Sequence, residues 1–398
     1  MQPLRLVHWG LRSTFFFLLL CCIPLLTSAQ GFIANTSDGI AYRSSGDAFA
    51  FKLGGRIHFD GTYFDEDKKI LHSGWLLRRM RLSLRINLFE NWRFSGQYDF
   101  VDDEERYNSL WLRYSGFKST YFIIGQFEEP FGLEKSTSSN NITFMERALP
   151  DILGPGTNVG FGFSKWGRNW SSSSGLFWET YIEESDPFAS KEGMGLTSRF
   201  TTAPFHSRER SVHMGLSGSY RLPDDRKRIR IRARPESRIT DERLISTGRL
   251  KGVDTYVTGA LEAAITIGSL SVQGEYNKMF VYRESGRNDE TFEGNYVYVS
   301  WFLSGENRPY SVKSGAFGRV KPKGTNGAWE IALRRSHLNL NSRTGDIRGG
   351  KQTNITWGLN WYVHQSARLM LNYIQVDADT PSGDDNPNIM QLRFQLAI

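Results

Sequence analysis

The chain has 398 residues, with 49 Lys+Arg against 42 Asp+Glu, a formal net charge of +7 and only 2 cysteines. Cys21 and Cys22 both fall in an N-terminal leader, which excludes a disulfide scaffold and a cysteine metal site from the mature protein. So modest a basic excess argues against general coating of nucleic acid or other polyanions, and puts the weight on where individual basic residues stand.

Residues 1–29 read as a secretory signal peptide. Arg5 and Arg12 make the basic start, residues 15–26 are an apolar run, and Thr27, Ser28 and Ala29 are small residues before a cut ahead of Gln30. No later stretch reaches the roughly 18–20 apolar residues that a membrane helix needs. Residues 30–50 form a short N-terminal segment. Residues 51–398 read as one domain, because no linker, charge block or low-complexity tract divides them.

Within that domain apolar and polar residues alternate, the period of a strand with two unlike faces. Phe51, Leu53, Gly55, Ile57 and Phe59 alternate with Lys52, Arg56, His58 and Asp60. Met80, Leu82, Leu84, Ile86 and Leu88 then alternate with Arg79, Arg81, Ser83, Arg85 and Asn87. The pattern restarts after a tight turn at Phe89, Glu90 and Asn91 with Trp92, Phe94, Gly96, Tyr98 and Phe100 against Arg93, Ser95, Gln97 and Asp99. A connection from Phe127 to Asn158 follows, too long for an ordinary loop and rich in hydrophobics such as Phe131, Leu133, Ile142 and Phe144. Apolar content in a long loop implies packing, and inside a barrel the available surface is the inner wall. Val212, Met214, Leu216, Gly218 and Tyr220 make a further apolar face.

Residues 226–234 carry the strongest pattern. In a strand, Arg226, Arg228, Arg230, Arg232 and Arg234 project from one side, about 7 Å apart, and Ile229, Ile231 and Ala233 from the other. Such a segment suits a wall between lipid and an anion-accepting lumen, with a solvated edge strand as the plainer reading. The chain ends on Met390, Leu392, Phe394, Leu396 and Ile398 opposite Gln391, Arg393 and Gln395. Aromatics near strand ends, short turns, and long polar connections near 102–108, 221–227, 282–291 and 339–351 fit an all-β transmembrane antiparallel barrel of about sixteen strands. The histidines show no metal-ligand spacing, and nothing points to a cofactor.

On these residues the chain resembles the phosphate-selective porin family (porins O and P) of Gram-negative outer membranes. The resemblance rests on Gly125 to Glu134 (GQFEEPFGLE), Thr137-Ser138-Ser139, Phe144-Met145-Glu146-Arg147, Arg230 to Glu236 (RIRARPE), Trp301 to Glu306 (WFLSGE), Phe317 to Pro322 (FGRVKP) and Gly327 to Glu330 (GAWE). These follow in family order over roughly residues 50–398. The resemblance implies a sixteen-stranded homotrimeric barrel in outer-membrane lipid, with an inward-folded third loop, that passes inorganic phosphate, polyphosphate or related anions. It implies an arginine ladder, to which Arg56, Arg78, Arg79, Arg228, Arg230, Arg232, Arg234 and Arg238 correspond. It implies a phosphate-binding constriction at Lys135, Ser138, Ser139 and Asp99, and a lysine cluster at Lys313, Lys321 and Lys323.

A row of guanidiniums gives an oxyanion successive bidentate partners, and close, individually weak sites let an ion move on. Asp99 either discriminates among anions or pairs with an arginine, and Arg81, Arg85 and Arg93 read as members of salt-bridge networks in the barrel interior. Glu128 and Glu129, and Asn140 after the serines, depart from the family pattern. All three changes lower the expected positive potential at the constriction, so a general or weakly anion-selective porin is the alternative. A barrel enzyme needs a nucleophile, base and orienting acid; the chain has no Gly-x-Ser-x-Gly elbow and no histidine that can be set beside a nucleophile. Arginines interleaved with aliphatics, rather than stacking aromatics, speak against nucleic acid as a partner.

Overall fold

The computed structural model describes residues 31–36, 39–44, 49–101, 107–178 and 193–398. The expected signal peptide at 1–29, and residues 102–106 of the expected loop at 102–108, lie outside the described residues. Sixteen strands make the wall. They are β1 (Phe49–Asp65), β2 (Gly74–Leu88), β3 (Trp92–Asp99), β4 (Tyr107–Phe117) and β5 (Thr120–Glu128). After the long third connection come β6 (Thr157–Trp166), β7 (Trp170–Trp178), β8 (Met194–Thr202) and β9 (Arg210–Leu222). β10 (Val253–Ile267), β11 (Leu270–Arg283) and β12 (Glu290–Phe302) follow, then β13 (Ala328–Asn341), β14 (Arg348–His364), β15 (Ala367–Thr380) and β16 (Asn388–Ala397).

Each strand pairs antiparallel with the next, and β16 returns to β1 in the register Asn388↔Asp65 to Ala397↔Arg56, closing the barrel. Closure gives each wall strand a neighbour on both sides and leaves no open edge, a condition for any sheet in hydrocarbon. Ile398 completes it: its N–H donates to the Gly55 carbonyl (2.9 Å) and its carbonyl accepts from Gly55 N–H (2.8 Å). Below that point β1 extends further, and a hairpin of Gly31–Thr36 and Gly39–Ser44 takes over its free edge through Ile40↔Leu53 to Arg43↔Ala50. The β2–β3 turn places Phe89 and Glu90 at φ 48 and 62. That left-handed conformation matches the strand twist of a tight hairpin at a cost of roughly 1 kcal/mol for each non-glycine residue.

The two-residue period sorts the wall into two media. On β9, Met214, Leu216 and Tyr220 are exposed on the outer face, while His213, Ser217, Ser219 and Arg221 are buried on the inner one. The same sorting runs through β13, where Trp329, Ile331 and Leu333 face out and Glu330, Arg334 and Ser336 face in. The interior is polar and crowded, and its largest fully buried side chains include Arg221, Arg334 and Arg393. Short turns join strands at one end. Most long connections leave from the other, although residues 303–327, between β12 and β13, sit at the short-turn end.

Candidate functional site

The third connection, residues 129–156, bonds to inward-facing side chains around more than half the wall. Arg368 donates to the carbonyls of Ile142 (2.9 Å) and Thr143 (3.0 Å), Gln395 to that of Asn140 (3.1 Å), Asn277 to that of Pro150 (2.9 Å), and Arg393 to that of Met145. Ser217 accepts from the Gly132 N–H at 3.1 Å. These contacts place the connection inside the barrel. Lumen side chains thereby satisfy backbone groups that a buried loop would otherwise leave orphaned. One short helical turn, α1 (Leu133–Ser136), and a 3-10 turn (Leu149–Leu153) are its only regular structure.

Residues 223–252, between β9 and β10, also lie inside. Arg228–Ile229 pairs with Leu250–Lys251, and Arg232–Ala233 with Ile245–Ser246, giving a short two-stranded ribbon. Ile229, Ile231 and Ala233 are buried against Leu149 and Leu153 of the third connection and against inward-facing Met279, Val281, Phe292, Leu338 and Leu340 of the wall. The arginines alternate with them and are half-buried on the opposite side. The expected division into an apolar and an arginine face therefore holds, but the expected position does not. This segment is not a wall strand, and Ile231 meets the inside of the wall rather than lipid. At nine residues the run is as long as β5, β7 and β8, so length does not keep it out of the wall; its apolar side packs on a protein surface instead of lipid.

Where ribbon, third connection and wall meet there is a cavity of about 230 Å³. Arg78 and Arg79 of β2 line it with Arg232, Arg234, Arg238 and Arg243 of the ribbon segment, together with Ser139, Arg147, Glu146 and Glu236. Arg78 pairs with Glu146 at 3.1 Å, and Arg393 grips both Glu146 (2.8 Å) and Asp60 (2.6 Å). Burial alone would raise the Glu146 carboxyl, but Arg78, Arg393 and Arg79 hold it well below the usual carboxylate range. The arginines on the other side are less well compensated. Burial and then the neighbouring Arg234, Arg232 and Arg238 push the Arg243 guanidinium down to about 10. Burial followed by Arg238 lowers Arg234, which retains one partner, Asp241. The buried Nε groups of Arg79 and Arg234 have no acceptor among the described residues. A site of crowded like charges with unfilled donors favours entry of an anion, which relieves both deficits.

Six of the residues expected in the pathway or constriction thus converge: Arg78, Arg79, Arg232, Arg234, Arg238 and Ser139. Arg56 reaches the same rim, donating to Ser139 Oγ at 2.8 Å. Arg228 and Arg230 stand further along the ribbon. Lys135 does not face the cavity. Its ammonium is spent on the carbonyls of Asp151, Gly154 and Pro155 and sits 3.6 Å from the Asp151 carboxylate, so it clasps the loop. Ser138 is exposed, with its Oγ turned to the Asn140 N–H. Asp99 is fully buried and takes Arg81 Nε at 2.6 Å, the pairing alternative.

The expected opposition from Glu128 and Glu129 is also corrected. Buried Glu129 is ion-paired with Arg221 of β9 and accepts from Thr197 and Asn158, while Glu128 meets Arg147 at 3.5 Å. Lys313 rests over the Trp166 ring at 4.1 Å, Lys323 donates to the Gly305 carbonyl, and Lys321 is exposed, all in the 303–327 connection. Sequence reading missed Arg243, which only long-range folding brings into the cavity, and gave no role to Glu236, which it quoted only as the end of the RIRARPE motif.

Comparison with known proteins gives the same architecture. The family model described as phosphate-selective porin O and P matches residues 51–398. The chain belongs to this family. Porin O of Pseudomonas aeruginosa is 24% identical, over 93% of this chain and 93% of its own length. An uncharacterized protein of Caulobacter vibrioides is 28% identical, over 84% of this chain and 70% of its own. Among solved structures, the anion-selective porin from Comamonas acidovorans superposes with TM-score 0.57 at 12% identity, covering 88% of this chain and 100% of its own. The outer membrane channel DcaP of Acinetobacter baumannii gives 0.55 at 11% identity, over 89% and 99%. At such identities these likenesses establish the fold alone. Family and fold together make the chain a porin of the Gram-negative outer membrane, a channel rather than an enzyme.

Proposed function

We propose that the protein is a passive anion channel that takes up inorganic phosphate or polyphosphate. The arginine-lined cavity between β2, the third connection and the ribbon is its binding station. The observation that carries this reading is the meeting of Arg78 and Arg79 with Arg232, Arg234 and Arg238 around Ser139, in a space with unfilled guanidinium donors. Arg56, Arg228 and Arg230 extend the path, and Lys313, Lys321 and Lys323 raise anion concentration at the opposite mouth. The names of the matching family and of the Comamonas porin support anions as cargo. We take residues 1–29 as the signal peptide and the working form as a homotrimer, as in the trimer form of OmpT from Vibrio cholerae, which shares the fold at TM-score 0.54 and 10% identity.

The test is phosphate block of chloride current in planar bilayers. Phosphate should block the wild-type channel, and Arg79→Gln or Ser139→Ala should weaken the block. A current indifferent to phosphate in all three proteins would defeat the assignment. One observation favours the alternative of a general, weakly anion-selective porin. With Lys135 tied to the loop, no lysine among the described residues lines the cavity beside Ser139 to hold a phosphate tightly. In that case chloride selectivity would persist without block.

A further inference from the structure

Binding an anion does not call for carboxylates, yet three acids line the arginine cavity: Glu146, Asp151 and Glu236. Both oxygens of Glu236 are taken, Oε1 by the Leu149 N–H (3.0 Å) and Oε2 by Arg334 (2.9 Å). Asp151 sits beside Lys135, 3.6 Å away. Glu146 differs from both. Its Oε1 accepts from Arg78 Nε (3.1 Å) and Arg393 Nη2 (2.8 Å), whereas Oε2 meets only Arg78 Nη2 among the described residues, at 3.5 Å. A carboxylate oxygen has room for about two hydrogen bonds, so Oε2 keeps acceptor capacity on an acid that lines the cavity.

Glu146 is fixed from both sides. Arg334 donates to its carbonyl (3.1 Å), while Arg393 donates to that of Met145 and grips Asp60 at 2.6 Å. On the wall the register runs His58↔Arg79 and then Phe59↔Leu77, so Arg78 is an extra residue in β2. This bulge brings the consecutive Arg78 and Arg79 both to the lumen side, where each is buried and lines the cavity. Glu146 lies among these guanidiniums, and Arg78, Arg393, Arg79 and Arg238 keep it ionised against the effect of burial. Seven arginines line the cavity against the three acids, an excess that lets an anion settle beside a carboxylate.

We propose that Glu146 Oε2 accepts a hydrogen bond from the hydroxyl of the bound anion, and so selects protonated tetrahedral oxyanions such as phosphate over aprotic ones of equal size and charge, such as sulfate. This rests on the cavity being the binding station. Guanidiniums offer only donors and hold either anion. Glu146 adds an acceptor. Sulfate would set a bare oxygen against Oε2, two acceptors with no proton between them, and a site built around a hydrogen bond rejects the analogue that lacks the hydrogen. Orthophosphate and the ends of a polyphosphate chain meet the requirement, whereas its inner phosphates do not.

The test is block of chloride current in planar bilayers by phosphate, sulfate and fluorophosphate, at a pH where phosphate is a dianion that keeps one proton. All three are then tetrahedral dianions, and only phosphate carries a hydrogen. Phosphate should block wild type at about tenfold lower concentration than the other two, a difference of about 1.4 kcal/mol. Glu146→Gln should abolish that preference, because a neutral amide can turn its N–H to sulfate as readily as its oxygen to phosphate. Weaker block by all three dianions at an unchanged ratio would make Glu146 a mere support for Arg78 and overturn the proposal. The wild-type comparison needs no variant, so it decides alone if Glu146→Gln fails to assemble. Equal block of wild type by the three dianions would overturn the role of Glu146 and leave the binding station standing. Block by none of them would remove the station itself, and the proposal with it.

Discussion

Strand β9 and the ribbon segment 226–234 share one sequence period and end in opposite settings. In β9 the apolar side faces outward and the polar side is buried, with Arg221 closed against Glu129. In the ribbon the apolar side is buried, against Leu149, Leu153 and the inner wall, and the arginines are half-buried on the other side, where Arg232 and Arg234 line the cavity. Alternation therefore reports that a strand has two unlike faces, but not which medium each one meets. Pairing and surroundings decide that: β9 pairs on both edges over most of its 13 residues, whereas the ribbon's paired strands are two residues each.

The sharpest break in this comparison comes from Arg221. Arg221→Leu strips Glu129 of its buried counter-charge and should cost about 3–5 kcal/mol, read as a lower urea midpoint of the barrel in detergent. Adding Glu129→Leu should restore most of the loss. Next come two arginine insertions of equal chemistry. Leu216→Arg, on the lipid face, should lower barrel stability by about 2–4 kcal/mol. Ile231→Arg should leave the heat-modifiable barrel intact and instead undock the ribbon, seen as new protease cleavage within 223–252. If Ile231→Arg unfolded the barrel as Leu216→Arg does, the ribbon would be part of the wall after all.

A smaller effect sharpens the account of how the third connection docks. Burial raises the Glu134 carboxyl from 4.5 to about 7, against the pull of Arg334. A carboxyl raised in the docked state favours docking in its protonated form. That contribution is full below its ordinary pKa and is lost as pH rises through about 7. Hydrogen exchange in residues 129–156 should therefore quicken between about pH 5 and pH 8 relative to the intrinsic rate, and Glu134→Gln should flatten that trend.

Most of the fold was legible because a membrane barrel writes its two media into every strand; Met80 to Leu88 and Met390 to Ile398 needed only their period. The third connection declared itself through Phe131, Leu133 and Phe144, hydrophobics with no strand to serve. The site was legible in part. Arg78, Arg79 and the ribbon arginines could be named from the sequence, whereas their meeting point could not, because it depends on two connections folding into one lumen. Lys135 and Glu129 were misjudged for the same reason. A charge's effect on an ion path depends on its partner, and Pro155 O and Arg221 are invisible from those positions in the sequence.

The central claim is that the ribbon arginines set the ion preference while the wall sets stability. The direct measurement is the reversal potential across a potassium chloride gradient for wild type and for Arg232→Gln, Arg234→Gln, Arg238→Gln combined. The account predicts an anion-selective wild type and a triple variant that assembles normally with its reversal potential shifted toward the cation side. A triple variant with the parent's reversal potential and conductance would contradict it.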